Sequence, residues 1–240
     1  VVVFAGHATI RKQVMGDDYK RPARTAEVAK MRTLVTQAMK EGAFGLSSGL
    51  EYEVGSYSNV EEVVEMARAA GEQGGMYISH IRDEADLAMD AVKEAIAIGE
   101  RGRLPVQITH IKLGTQGVWG KAHEVVALVE AAKKRGVDVT ADAYPYLAWQ
   151  STPRVLIPNK KYDDPASVKR GLDDIGGAKN VQITRWKGHE QFIGKRLDEA
   201  AKAMGVSDIE AYIQFQKDDD AGMIGHAMIE SDLRTFYQQP

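Results

Sequence analysis

Gly74-Gly75-Met76-Tyr77-Ile78-Ser79-His80, followed 30 residues on by Leu104-Pro105-Val106-Gln107-Ile108-Thr109-His110, decides the fold. Each stretch is a short apolar run introduced by chain-breaking residues and closed by a histidine, as expected of a buried strand with a polar group at its C-terminal end. The unit recurs on both sides. Gly42 precedes Ala43-Phe44-Gly45-Leu46-Ser47-Ser48, and Gly136 precedes Val137-Asp138-Val139-Thr140-Ala141-Asp142. The four strand starts, at 43, 76, 106 and 137, lie 33, 30 and 31 residues apart, the length of a strand plus a crossover helix.

Amphipathic stretches fill the intervals. Val28, Met31, Val35 and Ala38 recur at helical spacing, as do Val60, Val63, Val64 and Ala67. Leu87, Ala91, Ala95 and Ile98 form a third stripe, and Val125, Leu128, Val129 and Ala132 a fourth. Ser58-Asn59-Val60-Glu61 predicts a capping box at the start of the second of these helices. Parallel strands covered by helices form either an open doubly wound sheet or a closed barrel. Gly6-His7, Ser47-Ser48, His80, His110 and Asp142 all fall at strand C-termini. Barrel enzymes gather their chemistry there from many strands at once, whereas an open sheet concentrates it at one switch point. The reading is therefore an α/β chain forming an incomplete TIM-like (β/α)8 barrel, with Val1-Val2-Val3-Phe4-Ala5 as the first visible strand.

The rhythm breaks after Tyr146. Residues 1–146 read as the partial barrel and 147–222 as an inserted, mostly helical subdomain. Helices are predicted near 165–176, 189–204 and 207–217, with a candidate strand at Val181-Gln182-Ile183-Thr184. Residues 223–240 read as a return towards a last barrel strand. The chain opens without Met inside an apolar run and closes on Tyr237-Gln238-Gln239-Pro240, so a fragment of a larger fold is the expectation.

Composition narrows the function. With 240 residues, a net charge of −3 and acidic and basic residues interspersed, there is no basic footprint for a nucleic acid. No apolar stretch reaches the roughly 18 residues of a membrane span. The absence of cysteine excludes disulfides and thiolate ligands within this segment. No signal peptide is visible, which favours a cytoplasmic location.

His80 and His110 are the main chemical candidates. On successive barrel strands their imidazoles could converge on one metal ion, and neutral imidazole suits zinc. A catalytic zinc needs three protein ligands and an open position, so two histidines are an incomplete site. The competing reading is two hydrogen-bonded histidines at a barrel rim. Lys112 lies two residues beyond His110, on the same side of an extended strand. Arg82 and Glu84 follow His80 closely, as a supporting shell around the ligands or as an ordinary surface ion pair. His7 ends the first strand and lines either the pocket or the core.

Five segments in order carry a family resemblance: Gly6-His7-Ala8-Thr9-Ile10-Arg11, Gly42 through Tyr52, Ser79-His80-Ile81-Arg82-Asp83-Glu84, Thr109-His110-Ile111-Lys112 and Asp142-Ala143-Tyr144-Pro145-Tyr146. Together the sequence resembles strands three to seven of the N-acyl-D-amino-acid deacylases (D-aminoacylases) of the amidohydrolase superfamily, a metal-dependent hydrolase barrel. The resemblance implies that His80 and His110 are metal ligands. It also implies that Lys112, Tyr144 and Ser151 hold the substrate carboxylate, although the loop before Ser151 is one residue longer than the family pattern. The His-x-His pair, the cysteine ligand and the general-base Asp of such enzymes would lie before Val1 and beyond Pro240, leaving no catalytic acid or base within this chain.

The activity so implied is zinc-dependent hydrolysis of the amide bond of N-acyl-D-amino acids, a property of the full-length parent with the fragment itself inactive. The partner would be a small-molecule substrate, an N-acylated amino acid. Two alternatives stay open: another amidohydrolase acting on cyclic amides or imides, of the dihydroorotase kind, and a catalytically incomplete binding module.

Overall fold

The computed structural model describes all residues from Val1 to Pro240. In chain order the elements are β1 (Ala5–Gly6), α1 (His7–Met15), α2 (Thr25–Lys40), β2 (Gly45–Gly49), α3 (Val60–Gly71), β3 (Met76–His80), α4 (Ala88–Gly102), β4 (Val106–Ile108), α5 (Ala122–Lys134) and β5 (Val139–Ala141). There follow β6 (Trp149–Ser151), α6 (Pro165–Asp174), β7 (Val181–Arg185), α7 (Leu197–Met204), α8 (Asp208–Phe215), β8 (Gly222–Gly225) and α9 (Glu230–Tyr237). The chain forms two compact units. The first comprises Val1–Lys112, Lys121–Tyr144 and Thr235–Pro240; the second comprises Leu113–Gly120 and Pro145–Arg234.

The first unit is a partial TIM-like barrel wall. Its sheet is ordered β1-β2-β3-β4-β5 with every neighbouring pair parallel. Register explains which side chains face the helices. Leu46 pairs with Tyr77, Tyr77 with Val106 and Val106 with Val139, and all four are fully buried. The row one residue further on, Ser47, Ile78, Gln107 and Thr140, points to the opposite face and is partly or fully exposed. Strand alternation places His80 on that second face, in register with Gly49. The helices press closely on the buried face: a Cβ on Gly99 of α4 would sit 1.9 Å from Cγ2 of Val106.

Several local expectations change. The first strand is confined to Ala5–Gly6; of the apolar run before it, Val3 offers its carbonyl to the Phe44 amide at 2.8 Å. The predicted capping box is a simpler cap. Asn59, not Ser58, is the N-cap, accepting from the Glu62 amide at 2.9 Å, while the Ser58 hydroxyl donates to the Gly55 carbonyl. Asn59 takes the role because it is the residue immediately before α3 with extended backbone angles, so its carboxamide oxygen reaches the first-turn amides.

The second unit is built around a three-stranded antiparallel sheet ordered β6-β8-β7. Val181, Ile183, Met223, Tyr212 and Phe215 are fully buried at its core, with Trp186 and Phe215 at 5.1 Å between ring centroids. Residues 223–225, read from sequence as a path back to a barrel strand, pair as part of β8 with Trp149–Ser151 and Val181–Ile183. The region from 145 to 234 is thus a mixed unit, with β6 formed from a segment read as loop. The reason is cross-strand pairing: a three-residue strand carries too little periodicity to declare itself, and its partners lie far along the chain. The predicted helix over 189–204 is realised as α7 alone, preceded by a single turn of 3₁₀ helix at Glu190–Phe192, with Gly194 at φ 86° between them.

Candidate metal centre

At the C-terminal end of the first unit's sheet, β3 and β4 are direct neighbours and carry His80 and His110 to one point. His80 Nδ1 and His110 Nε2 lie 3.1 Å apart, with the rings edge to face at a centroid separation of 4.8 Å. His110 achieves this just past β4 with a left-handed backbone, φ 44°. A non-glycine residue there costs on the order of 1 kcal/mol and persists only where its surroundings hold it. Asp142 supplies that hold: its carboxylate accepts the His110 amide at 3.0 Å and a Gln107 side-chain N–H at 2.8 Å.

Each histidine has a carboxylate on its remaining ring nitrogen. His80 Nε2 lies 2.6 Å from Glu51 Oε2, and His110 Nδ1 lies 3.2 Å from Glu84 Oε1. Glu84 is presented by a turn in which Asp83 accepts the amides of Ala85 and Leu87, at 2.8 and 3.0 Å. The same Glu84 oxygen is 3.8 Å from His80 Nδ1 and accepts from Lys112 Nζ at 2.6 Å. Lys112 is almost entirely buried and also lies 2.7 Å from His110 Nδ1. Tyr144 closes this side, its ring 6.5 Å from that of His110 and 5.5 Å from the Lys112 ammonium. Tyr52 lies over His80 at 4.6 Å between centroids.

Ionisation follows from this crowding. Burial by itself would raise Glu84, but the hydrogen bond with His110 and the Lys112 charge reverse it and hold the carboxyl at about 2. Burial pushes the Lys112 ammonium below its ordinary value against the pull of Glu84. Glu51 is raised, chiefly by burial, with its His80 hydrogen bond working the other way. The Tyr144 phenol is pushed up, first by burial and then by the Glu84 charge.

The donor set fits a zinc ion. Two imidazole nitrogens bound at about 2.0–2.1 Å to a tetrahedral zinc stand about 3.3 Å apart, close to the separation found here. His80, Glu84 and His110 also offer three ligand atoms within 4.8 Å of one another. Glu51 on the outer nitrogen of His80 gives that residue the usual carboxylate–histidine–metal arrangement.

The remaining candidates have other surroundings. His7, read as a pocket or core residue, is in the core: it opens α1, is fully buried, and its Nε2 lies 2.9 Å from Glu62 Oε1. Arg82 makes a two-pronged ion pair with Glu94 at 2.7 and 2.8 Å, on the helix side rather than at the histidines. Ser151 belongs to β6 in the second unit, where its hydroxyl is buried without a hydrogen-bond partner. Glu51 and Tyr52 received no role from sequence. A signal existed, since they follow β2 just as His80 ends β3 and His110 follows β4.

No model of a known protein family matches the sequence. Individual relatives do. The chain is 34% identical over 231 residues to the D-aminoacylase of Alcaligenes xylosoxydans xylosoxydans, covering 96% of this chain and 43% of that protein. It is 31% identical over 238 residues to the N-acyl-D-glutamate deacylase of the same organism, covering 99% and 44%. Among solved structures, the N-acyl-D-glutamate deacylase of Bordetella bronchiseptica, complexed with zinc and a phosphonate mimic of the tetrahedral intermediate, superposes with a TM-score of 0.86 at 28% identity, over 100% of this chain and 46% of that one. A D-aminoacylase crystal structure gives 0.79 at 32% identity over 96% and 44%. These matching relatives and solved structures are D-aminoacylases and N-acyl-D-amino-acid deacylases. The chain spans less than half the length of the curated relatives it matches. His80 ends β3 and His110 follows β4, two neighbouring parallel strands, at the strand ends where such barrels place their chemistry.

Proposed function

We propose that the protein is a zinc-dependent hydrolase of the amide bond of N-acyl-D-amino acids. The observation that carries this reading is the convergence of His80 Nδ1 and His110 Nε2 at 3.1 Å, with Glu51 behind His80 and the Glu84 carboxylate close by. In this reading His80 and His110 hold the ion, and Glu84 lies close enough to join them. When bound, zinc supplies Lewis acidity to the scissile carbonyl and to the attacking water. The chain's own residues bind and orient. Lys112 offers an ammonium to the substrate carboxylate, with Glu84 accepting from it and holding it in place while the carboxylate arrives. A carboxylate there lies beside the Tyr144 ring, whose protonated phenol is a further hydrogen-bond donor. The substrate is a small molecule. No helix is long and apolar enough to cross a membrane.

The test is zinc content and hydrolysis of N-acetyl-D-amino acids by the full-length protein, beside His80→Ala and His110→Ala. Either substitution should abolish stoichiometric zinc and turnover together. Retention of tightly bound zinc in both variants would move the metal centre elsewhere.

A further inference from the structure

Glu51 touches no atom that would face a bound ion. Its oxygen meets His80 at Nε2, on the far side of the ring from Nδ1, and it is mostly buried there. A neutral imidazole carries one N–H and one lone pair, and the partner of one nitrogen decides the state of the other. A carboxylate at 2.6 Å accepts the Nε2 proton in a charge-assisted hydrogen bond, which leaves the lone pair on Nδ1. Nδ1 is the nitrogen that faces His110 Nε2 at 3.1 Å. The ring is also fixed in plane: Tyr52 covers one face at 4.6 Å and His110 meets its edge.

We infer that Glu51 is a positioning residue that selects the Nε2–H tautomer of His80 and so aims its Nδ1 lone pair at the metal position. This rests on the reading of His80 and His110 as zinc ligands and deepens it. The placement has a structural origin. Gly49 pairs in register with His80, and the Leu50 amide donates to the His80 carbonyl at 3.1 Å. The chain leaving β2 is thereby tied to the end of β3 until Glu51 reaches across to the neighbouring ring. Glu84 stands differently, since its oxygen lies within 3.8 Å of His80 Nδ1 itself and pairs with Lys112. The two carboxylates therefore divide the work, Glu84 on the metal side and Glu51 behind the ligand.

The experiment measures zinc affinity of the full chain by competition with a chelator, for the parent, Glu51→Ala and Glu51→Gln. The His80 tautomer is read in the zinc-free protein from ¹³C shifts of selectively labelled histidine. Glu51→Ala should weaken zinc binding about 10–100-fold, the usual cost of losing such a partner, and should give a mixed His80 tautomer. Glu51→Gln should recover part of the affinity, because its amide oxygen still accepts the Nε2 proton. Should Glu51→Ala fail to fold, Glu51→Met, similar in length and unable to accept the proton, takes its place in both measurements. Zinc affinity within about threefold of the parent, or a loss with the His80 tautomer unchanged, would overturn the inference. If the parent takes up no zinc, or His80→Ala keeps it, the metal reading falls and this inference with it. If zinc depends on His80 and is indifferent to Glu51, only this inference falls.

Discussion

Glu62 provides the sharpest test of how the first unit is held together. It lies in the first turn of α3 with 1% of its surface exposed, and its carboxylate meets three groups. These are His7 Nε2 at 2.9 Å, the Arg11 guanidinium in a close ion pair, and the Ala23 amide at 3.3 Å. Arg11 is fully buried as well, and donates to the carbonyls of Tyr19 and Arg21. One buried charge pair thus joins α1, the segment around residues 19–23 and α3. Glu62→Gln keeps the size and much of the hydrogen bonding but leaves Arg11 buried without its counter-ion. Breaking a buried pair on one side costs about 3–5 kcal/mol, because the surviving charge is desolvated and uncompensated. Guanidinium unfolding of the full chain, followed by circular dichroism, measures the loss.

Acid supplies the second half of the argument. Burial would raise the Glu62 carboxyl, yet the hydrogen bonds from His7 and Arg11 outweigh it and hold it below its ordinary value. A depressed folded pKa stabilises above the unfolded value of about 4.3, and the contribution is lost as pH falls through the folded value. The gap between parent and Glu62→Gln should therefore be full at neutral pH and narrow in acid. A loss below about 1 kcal/mol at neutral pH, or a gap independent of pH, would refute the view of this cluster as a stabilising charge pair.

Three further outcomes follow from the structure. Under the proposed function, Lys112→Ala in the full chain should raise KM for N-acyl-D-amino acids about tenfold or more, by loss of a charged hydrogen bond, and should matter much less for an amide lacking the α-carboxylate; steady-state kinetics on both substrates would expose equal losses as a contradiction. Gly99→Ala should destabilise by about 1–3 kcal/mol, since the new Cβ falls 1.9 Å from Val106 Cγ2 in a packed layer; a neutral effect in denaturant unfolding would mean α4 can slide off β4. Asn59→Ala should cost about 1 kcal/mol by removing the cap on α3. Ser58→Ala leaves that cap in place, so a larger loss from Asn59→Ala, coupled to faster amide exchange at Glu62, distinguishes the two positions by hydrogen exchange.

Much of the first unit was legible in sequence because its information is local. Turn residues, a short apolar run and a helical stripe repeat within about 30 residues, so each β/α unit announces itself without reference to its neighbours. The same periodicity put His80 and His110 one unit apart at strand ends and set Lys112 two residues beyond. The second unit resisted for the opposite reason. Trp149–Ser151 becomes a strand only by pairing with Met223–Gly225, more than seventy residues on, and three residues carry no period of their own.

Which carboxylate stands behind His80 was decided by tertiary structure. Sequence left His7 between pocket and core and Arg82 between a supporting shell and an ion pair; folding gave His7 to Glu62 and Arg82 to Glu94. It brought in Glu51 instead, which stands 29 residues before His80 and meets it only because β2 and β3 pair with Gly49 opposite His80. A shift of that register by one residue would turn every side chain of the strand to the other face. Alternation along one strand can be read from the order of residues; which strand lies beside it, and in what register, is settled by the packing of the whole sheet against its helices, and with it the choice of carboxylate behind His80.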